Sequence, residues 1–262
     1  MTAPWSSPDG RGTVVDMDTT NSTVFIPGAT SGIGLGLALR LQAAGSTVVI
    51  GGRRAALLDE LHAAHGFDTV VVDVADPASI TAAAASVLES HPSLDALVTM
   101  SGIMRPEDLR DPAHVDTAVA TIETNLLGTI RLVDAFLPHL LTRPASTIVT
   151  VSSGLAFTPL AATPTYNATK AAVHSYTMSL RQQLQGSGVE VLELAPPAVA
   201  TDLLGGADFG GMPLPDFLDE VMGLLTAGAG PEILVENVLP LRWAERDGTQ
   251  QQLIEALAAR GH

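Results

Sequence analysis

Short runs of apolar, β-branched residues alternate with longer stretches of helical period along most of the chain. Residues 23–26, 47–50, 69–73, 95–99, 146–151 and 189–194 read as strands, with 233–235 as a last one. Between them, 35–44, 54–65, 77–90, 114–141 and 166–186 carry helical patterns, and a shorter helix falls near 215–226. Gly45 is placed to stop the first helix. The strand runs are largely continuous and β-branched, without strict polar alternation, which suits parallel strands buried on both faces. Strict β/α alternation predicts one α/β domain: a doubly wound parallel sheet of Rossmann type, with about seven strands flanked by helices.

The pattern is weak at two places. Residues 1–21 are rich in Ser, Pro, Asp and Gly and are expected to form a flexible tail before a domain spanning 22–262, with Met17 a candidate alternative start. The Gly/Pro-rich stretch 205–215 predicts a mobile loop, and 202–227 as a whole reads as a lid over the substrate. No repeat and no linker divides the remainder.

Composition narrows the function classes. A net charge of −15 argues against nucleic acid or an anionic membrane surface as partner. With no cysteine there is no disulfide framework, thiol nucleophile or cysteine metal site. The seven histidines show no metal-ligand spacing; His62 and His65 share a helix face and read as surface polar residues, so no metal is expected. The N-terminus lacks the basic-then-apolar layout of a signal peptide, and no run approaches the ~20 apolar residues of a membrane span. A cytoplasmic protein is expected.

Chemistry concentrates in three stretches. Gly28-Ala29-Thr30-Ser31-Gly32-Ile33-Gly34 joins the first strand to the first helix. Glycines there permit a tight turn and close backbone approach, and the helix start offers N–H groups to a pyrophosphate. The second strand ends in Gly51-Gly52-Arg53-Arg54, with no carboxylate for a ribose 2′-hydroxyl. Two guanidinium groups at that point favour a 2′-phosphate, hence NADP(H) over NAD(H). The third stretch is Tyr166-Asn167-Ala168-Thr169-Lys170. Lys170 is the only lysine, against twelve arginines, and Tyr166 is one of two tyrosines. At i and i+4 they share a helix face, and a nearby ammonium is expected to lower the phenol's pKa toward working pH.

With these motifs the chain resembles the short-chain dehydrogenases/reductases, from about residue 22 to about 203. The resemblance implies that Ser153, thirteen residues before the tyrosine, Tyr166, Lys170 and the helix-borne Asn125 are catalytic. It places Asp73 and Val74 against the adenine, Ser101 and Gly102 beside the cofactor ribose, and Pro196, Val199 and Thr201 in the segment after the sixth strand. It implies hydride transfer between a nicotinamide and a carbonyl or alcohol carbon. Tyr166 would be the proton donor and Ser153 would polarise the carbonyl. Lys170 would lower the tyrosine pKa and hold the ribose, and Asn125 would fix a water linking the lysine to solvent. Three positions depart from the family pattern: Pro27 stands for Thr, Pro197 for Gly, and Thr99-Met100-Ser101-Gly102 for Asn-Asn-Ala-Gly.

Leu155, Ala156, Phe157 and Leu160 suggest an apolar pocket wall and a small to medium apolar carbonyl or alcohol as substrate. Family members pair through the two long helices, so a homodimer or homotetramer is expected. Two other readings share the scaffold. One is a non-catalytic NADP(H) sensor, for which Ser153, Tyr166 and Lys170 would be superfluous. The other is an epimerase or dehydratase, which would need a longer substrate domain.

Overall fold

Seven strands form a single all-parallel sheet in the order β3-β2-β1-β4-β5-β6-β7. They are β1 (Thr23–Pro27), β2 (Thr47–Gly52), β3 (Asp68–Val71), β4 (Ala96–Thr99), β5 (Ser146–Val151), β6 (Val189–Leu194) and β7 (Glu232–Ile233). The computed structural model describes residues 17–201, 203, 210–228 and 230–260. The helices are α1 (Gly32–Ala44), α2 (Ala55–His65), α3 (Pro77–Ser90), α4 (His114–Ile122), α5 (Gly128–Leu140), α6 (Pro164–Gln183), α7 (Leu214–Ala227), α8 (Leu239–Arg242) and α9 (Gln250–Arg260).

Successive side chains on a strand point to opposite faces, and each face has its own core. Val24, Ile26, Val48, Ile50, Val98, Val149 and Leu192 face one side, under Leu37 and Leu41 of α1, Leu58 of α2 and Phe217 and Val221 of α7. Phe25, Val49, Leu97, Ile148 and Val191 face the other, against α3, Phe136 of α5 and Leu180 of α6. Burial on both sides is why the central strands are mostly apolar, with Thr150 and Glu193 as buried polar exceptions.

The predicted fold class is the observed one, with three local refinements. First, the packed chain begins before residue 22. Met17 is 2 % exposed and belongs to the core that also holds Leu41 and Val48. The Thr19 carbonyl accepts from Ser46 Oγ (2.9 Å), and Asp18 caps the turn at Thr20 and Asn21. Residues 1–16 of the predicted tail lie outside the described residues. Met17→Ala is therefore expected to cost roughly 2–5 kcal/mol, the usual range for emptying a buried methionine site. A urea melt checks this; a midpoint equal to wild type would return Met17 to the tail.

Second, the described part of the predicted lid is packed into the fold. α7 buries Phe217, Leu218, Val221 and Leu225 against α1, and Arg40 of α1 pairs with Asp219 (2.8 Å). Met212 forms a parallel bridge with Val199, exchanging backbone bonds with Ala198 and Ala200 (2.9 Å each). Residues 202 and 204–209 lie outside the described residues. Third, the predicted helix 114–141 is two helices joined by a π-helical turn, Glu123–Leu127, which contains Asn125. α8 and α9 have no counterpart among the predicted elements. Half-buried and exposed positions make up the described face of α9, so its sequence carries no strong apolar stripe.

Strand order reverses between β1 and β4. All strands are parallel, so their carboxyl ends lie along one edge, where such sheets open a crevice for ligands. Every candidate site residue sits on that edge or on the helix faces that overhang it.

Candidate active site

α6 lays a polar stripe onto the carboxyl ends of β5 and β6. Tyr166, Lys170, His174, Thr177 and Arg181 recur at spacings of three and four and so share one face. Lys170 Nζ donates to Val151 O (2.8 Å), and His174 Nδ1 contacts the Glu193 carboxylate. Thr177 and Thr150 hydroxyls meet at 2.7 Å, and Arg181 Nε donates to Val191 O (2.9 Å). This stripe explains why a buried helix is poor in apolar residues. Pro164 opens it at a position where the missing N–H costs nothing.

Ser153 stands at the end of β5, where the chain leaves the sheet into a 3₁₀ turn over Gly154–Ala156. Its Oγ accepts from Leu155 N (3.1 Å) and is hydrogen-bonded to the Tyr166 phenol. Ser152 turns the opposite way, to Glu193. The serine thirteen residues before the tyrosine is therefore the one that meets it.

Burial pushes the Tyr166 phenol up to about 12, and the Ser153 hydroxyl opposes the shift. Burial also brings the Lys170 ammonium down to about 8, against a raising influence from the Glu193 carboxylate. Lys170 Nζ lies 5.6 Å from the Tyr166 ring centroid. The expected drop in phenol pKa is thus not what this cleft produces, because burial raises it and only the Ser153 hydroxyl opposes. The consequence is a phenol that holds its proton at neutral pH and can give it away.

Asn125 is fully buried in the π turn. Its amide spans the backbone of Ile103, accepting from Ile103 N and donating to Ile103 O (2.8 Å each), and its own carbonyl accepts from Thr129 Oγ1 (2.9 Å). These bonds pin the segment after β4 beside the lysine; the amide itself is committed to backbone. Gly102 lies between Asn125 and Lys170: a β-carbon there would stand in ordinary contact with Asn125 Oδ1 (3.5 Å) and Lys170 Nζ (3.8 Å).

A second cavity of about 160 Å³ opens across the switch point, lined by Gly28, Thr30, Gly52, Arg53, Arg54, Asp73, Val74, Ser101 and Gly102 among others. Gly28 has φ of +92°, and a β-carbon there would come within 2.7 Å of Ser101 backbone. Only glycine serves both conditions. Ser31 is the N-cap residue of α1, Ile33 packs on the core beneath, and a β-carbon on Gly32 would meet Thr201 at 3.6 Å. Gly34 lets α1 close on the Gly28 carbonyl, where its β-carbon would come within 2.7 Å. Arg53 and Arg54 are both exposed, and Arg54 donates to Thr30 Oγ1 (3.2 Å). Asp73 Oδ1 accepts from Ala75 N (3.0 Å), which turns the chain after β3. Pro196 O accepts from Gly154 N (2.8 Å) and ties the end of β6 to the turn after Ser153. A glycine-lined cradle at a helix start, with two guanidinium groups at its rim, fits a dinucleotide.

The comparisons with known proteins agree with this geometry. Residues 22–208 match the family model described as short chain dehydrogenase. The chain belongs to the short-chain dehydrogenase family. It is 43 % identical to the Bacillus subtilis oxidoreductase DltE over 191 residues, 71 % of this chain and 75 % of that one. It is 34 % identical to sulfoacetaldehyde reductase of Chromohalobacter salexigens over 185 residues, 68 % and 73 % of the two chains. Among solved structures it resembles a serine dehydrogenase complexed with NADP+ (30 % identity, TM-score 0.65, covering 69 % of this chain and 74 % of that one). It also resembles 3-ketoacyl-(acyl-carrier-protein) reductase from Brucella melitensis complexed with NADH (25 %, 0.74, 83 % and 98 %).

As a short-chain dehydrogenase, the chain is an oxidoreductase that works with a nicotinamide cofactor on small molecules. Among the described residues no helix is long and apolar enough to cross a membrane. The departures from the family pattern are accommodated locally. Gly28 N points to Gly51 O, so the neighbouring Pro27 nitrogen faces β4, which pairs with β1 only at Val24 and Phe25. Proline is tolerated where the ladder has ended. Met100 fills the space above Gly34. Thr99 Oγ1 is buried without a hydrogen-bond partner among the described residues.

Two carboxylates are absent from the sequence-based site. Glu107, in the loop before α4, accepts from Thr165 N (3.0 Å) and Oγ1 (2.7 Å) and so fixes the first turn of α6, one residue from Tyr166. Glu193 lies behind the turn that carries Ser153, fully buried and bonded to Ser152. Neither sits in a local motif; each is recruited by tertiary contact.

Proposed function

We propose that the protein interconverts a carbonyl and an alcohol on a small to medium apolar substrate, using NADP(H). The observation that carries this reading is the buried Ser153–Tyr166 pair beside the sole lysine, which adjoins Gly102 of the glycine-lined cradle. The cofactor would be held by Gly28, Thr30, Ser31, Gly32, Ile33 and Gly34 at its phosphates, and by Asp73 and Val74 at its adenine end. Ser101, Gly102, Tyr166 and Lys170 would hold the nicotinamide side, and Pro196, Val199 and Thr201 would close over it. When bound, it supplies the hydride to a carbonyl carbon or takes it from an alcohol carbon.

The chain's own groups do the rest. Ser153 hydrogen-bonds the substrate oxygen and stabilises the charge that develops there. Tyr166, held protonated by burial, gives its proton to that oxygen in reduction and takes it back in oxidation. Lys170 supplies a positive charge beside the phenol and a proton path out of the cleft. Leu155, Ala156, Phe157 and Leu160 are half-buried along the turn after Ser153 and offer an apolar wall to the substrate. Incubation with NADPH and a panel of ketones, followed at the nicotinamide absorbance, tests the reading. Tight NADPH binding with no turnover of any carbonyl would point to the sensor.

Cofactor choice rests on the two arginines at the end of β2. Arg53→Ala is expected to weaken NADPH binding about tenfold or more and leave NADH nearly unchanged, since charge-assisted bonds to phosphate contribute roughly 1.5–3 kcal/mol. Calorimetric titration of both nucleotides checks it; an unaltered NADPH-to-NADH ratio would mean that Arg53 is only solvated.

Pairing between copies fits the outer face of α4 and α6. Val115, Val119 and Ile122 are exposed on α4. Beside them an apolar cavity of about 390 Å³ is lined by Ile122, Leu126, Pro164, Thr165, Ala168 and Thr169. An exposed apolar surface of this kind supports a homodimer or homotetramer built on these helices.

A further inference from the structure

A buried carboxylate is expensive unless it is hydrogen-bonded and paired, so its surroundings indicate what it does. Glu193 is fully buried on β6, in a strand whose neighbours are apolar. Its Oε1 accepts from Ser152 Oγ at 2.5 Å, and His174 Nδ1 lies 3.0 Å from Oε1 and 2.8 Å from Oε2. A carboxylate only accepts, so the imidazole carries a proton on Nδ1. Both partners adjoin catalytic groups. Ser152 precedes Ser153, and His174 stands one helical turn beyond Lys170 on the same face of α6. Lys170 Nζ is bonded to Val151 O, and Val151 is in register with Leu194, the residue after Glu193.

We infer that Glu193 is a positioning residue for the catalytic pair: through Ser152 it anchors the Ser152–Ser153 turn, and through His174 it sets a buried negative charge one helical turn from Lys170. The inference rests on the carbonyl-reductase reading for its catalytic meaning, but not for its test. Other charged groups around Glu193 are accounted for. His174 and Arg181 face it from α6, and Glu190 lies on β6 itself, within reach of Arg181. On β7, Glu232 is paired bidentately with Arg242 of α8 (2.7 and 3.0 Å), which leaves Glu193 as the carboxylate that acts on Lys170. Arg242 also stacks on Phe157 (4.4 Å), and Phe157 meets His174 edge-on (4.8 Å). The same cluster therefore reaches the predicted substrate wall.

The test exploits the single lysine. A chain carrying no added lysine and labelled with ¹³Cε-lysine gives one side-chain resonance, whose pH titration reads Lys170 directly. In Glu193→Gln, which keeps the size and one acceptor oxygen but removes the charge, the midpoint should fall by roughly one pH unit. The alkaline limb of kcat/KM should move down by the same amount, a change that loss of packing alone would not produce. An unmoved lysine midpoint in a folded Glu193→Gln protein overturns the inference. Should that variant fail to fold, the triple change Ser152→Ala, His174→Leu and Glu193→Met removes the same charge with apolar replacements and is read in the same way. If wild type reduces no carbonyl, the functional reading falls, and the lysine resonance still decides the role of Glu193.

Discussion

Replacing Tyr166 with Phe is expected to lower kcat for carbonyl reduction by ~10²–10⁴, the usual contribution of a general acid, while leaving the protein folded and able to bind NADPH. The phenol is 6 % exposed, and burial pushes its pKa up to about 12. Near neutral pH it is a full proton reservoir beside Ser153, and phenylalanine has none to give. Structurally the change is small. The ring keeps its packing, and the backbone bond from Thr169 Oγ1 to Tyr166 O (2.7 Å) does not involve the phenol. What is lost is one hydrogen bond with Ser153, a net stability cost of about 1 kcal/mol, or a few degrees in Tm for a chain of this size. The measurement is kcat for a confirmed ketone beside a nucleotide titration and a thermal melt. Turnover close to wild type would remove Tyr166 from the chemistry, whatever the melt shows.

That this residue could be singled out from sequence follows from what local pattern carries. Tyr166 and Lys170 lie four apart on one helix, so their proximity is a property of the helix alone. The sheet was legible for a similar reason: strands buried on both faces are predominantly apolar and β-branched, and the turn after the first strand is marked by glycine. Ser153 was different. Residue spacing could not choose it over Ser152, and its selection came from the family resemblance; the structure separates the two because the chain leaves the sheet between them.

What stayed illegible depends on contacts distant in sequence. Asn125 was identified, but not its partner, because Ile103 lies on another segment and meets it only through the π turn. Glu193 was passed over because a carboxylate in a strand reads as a solvent-facing position, and only the approach of α6 converts it into a buried acceptor. The tail boundary failed on one side chain. A polar window averages away Met17, yet a single buried methionine can fix the entry of a chain. For the predicted lid, α7 has an apolar face in sequence, but whether that face meets α1 or covers substrate is decided by tertiary packing.

Lys170 brings function and stability into conflict. The ammonium is 5 % exposed, and burial lowers its pKa from the ordinary 10.5 to about 8. A base with a depressed folded-state pKa penalises the fold while it is protonated in both states, here below about pH 8, by an amount on the order of 3 kcal/mol. As pH rises from about 8 toward 10 the native state releases its proton before the unfolded chain does. The unfolded state then binds more protons, so stability must increase across that window. Above about 10 the sign reverses through Tyr166, whose native phenol keeps its proton to about 12 while the unfolded one loses it. Lys170→Met should abolish the rise between pH 8 and 10 while retaining the later fall. At pH 7 its stability should lie near wild type. Relief of the desolvation penalty is offset by loss of the bond to Val151 O, which leaves a buried carbonyl short of a donor at a cost of about 1–3 kcal/mol. Activity should nevertheless fall by ~10² or more, because no charge or proton path remains beside the phenol. Urea melts of both proteins at pH 7, 8, 9 and 10, paired with kcat at pH 7, check all three expectations. Parallel stability curves would mean that Lys170 is not the group titrating there, and near-wild-type turnover in the methionine variant would remove the lysine from the mechanism.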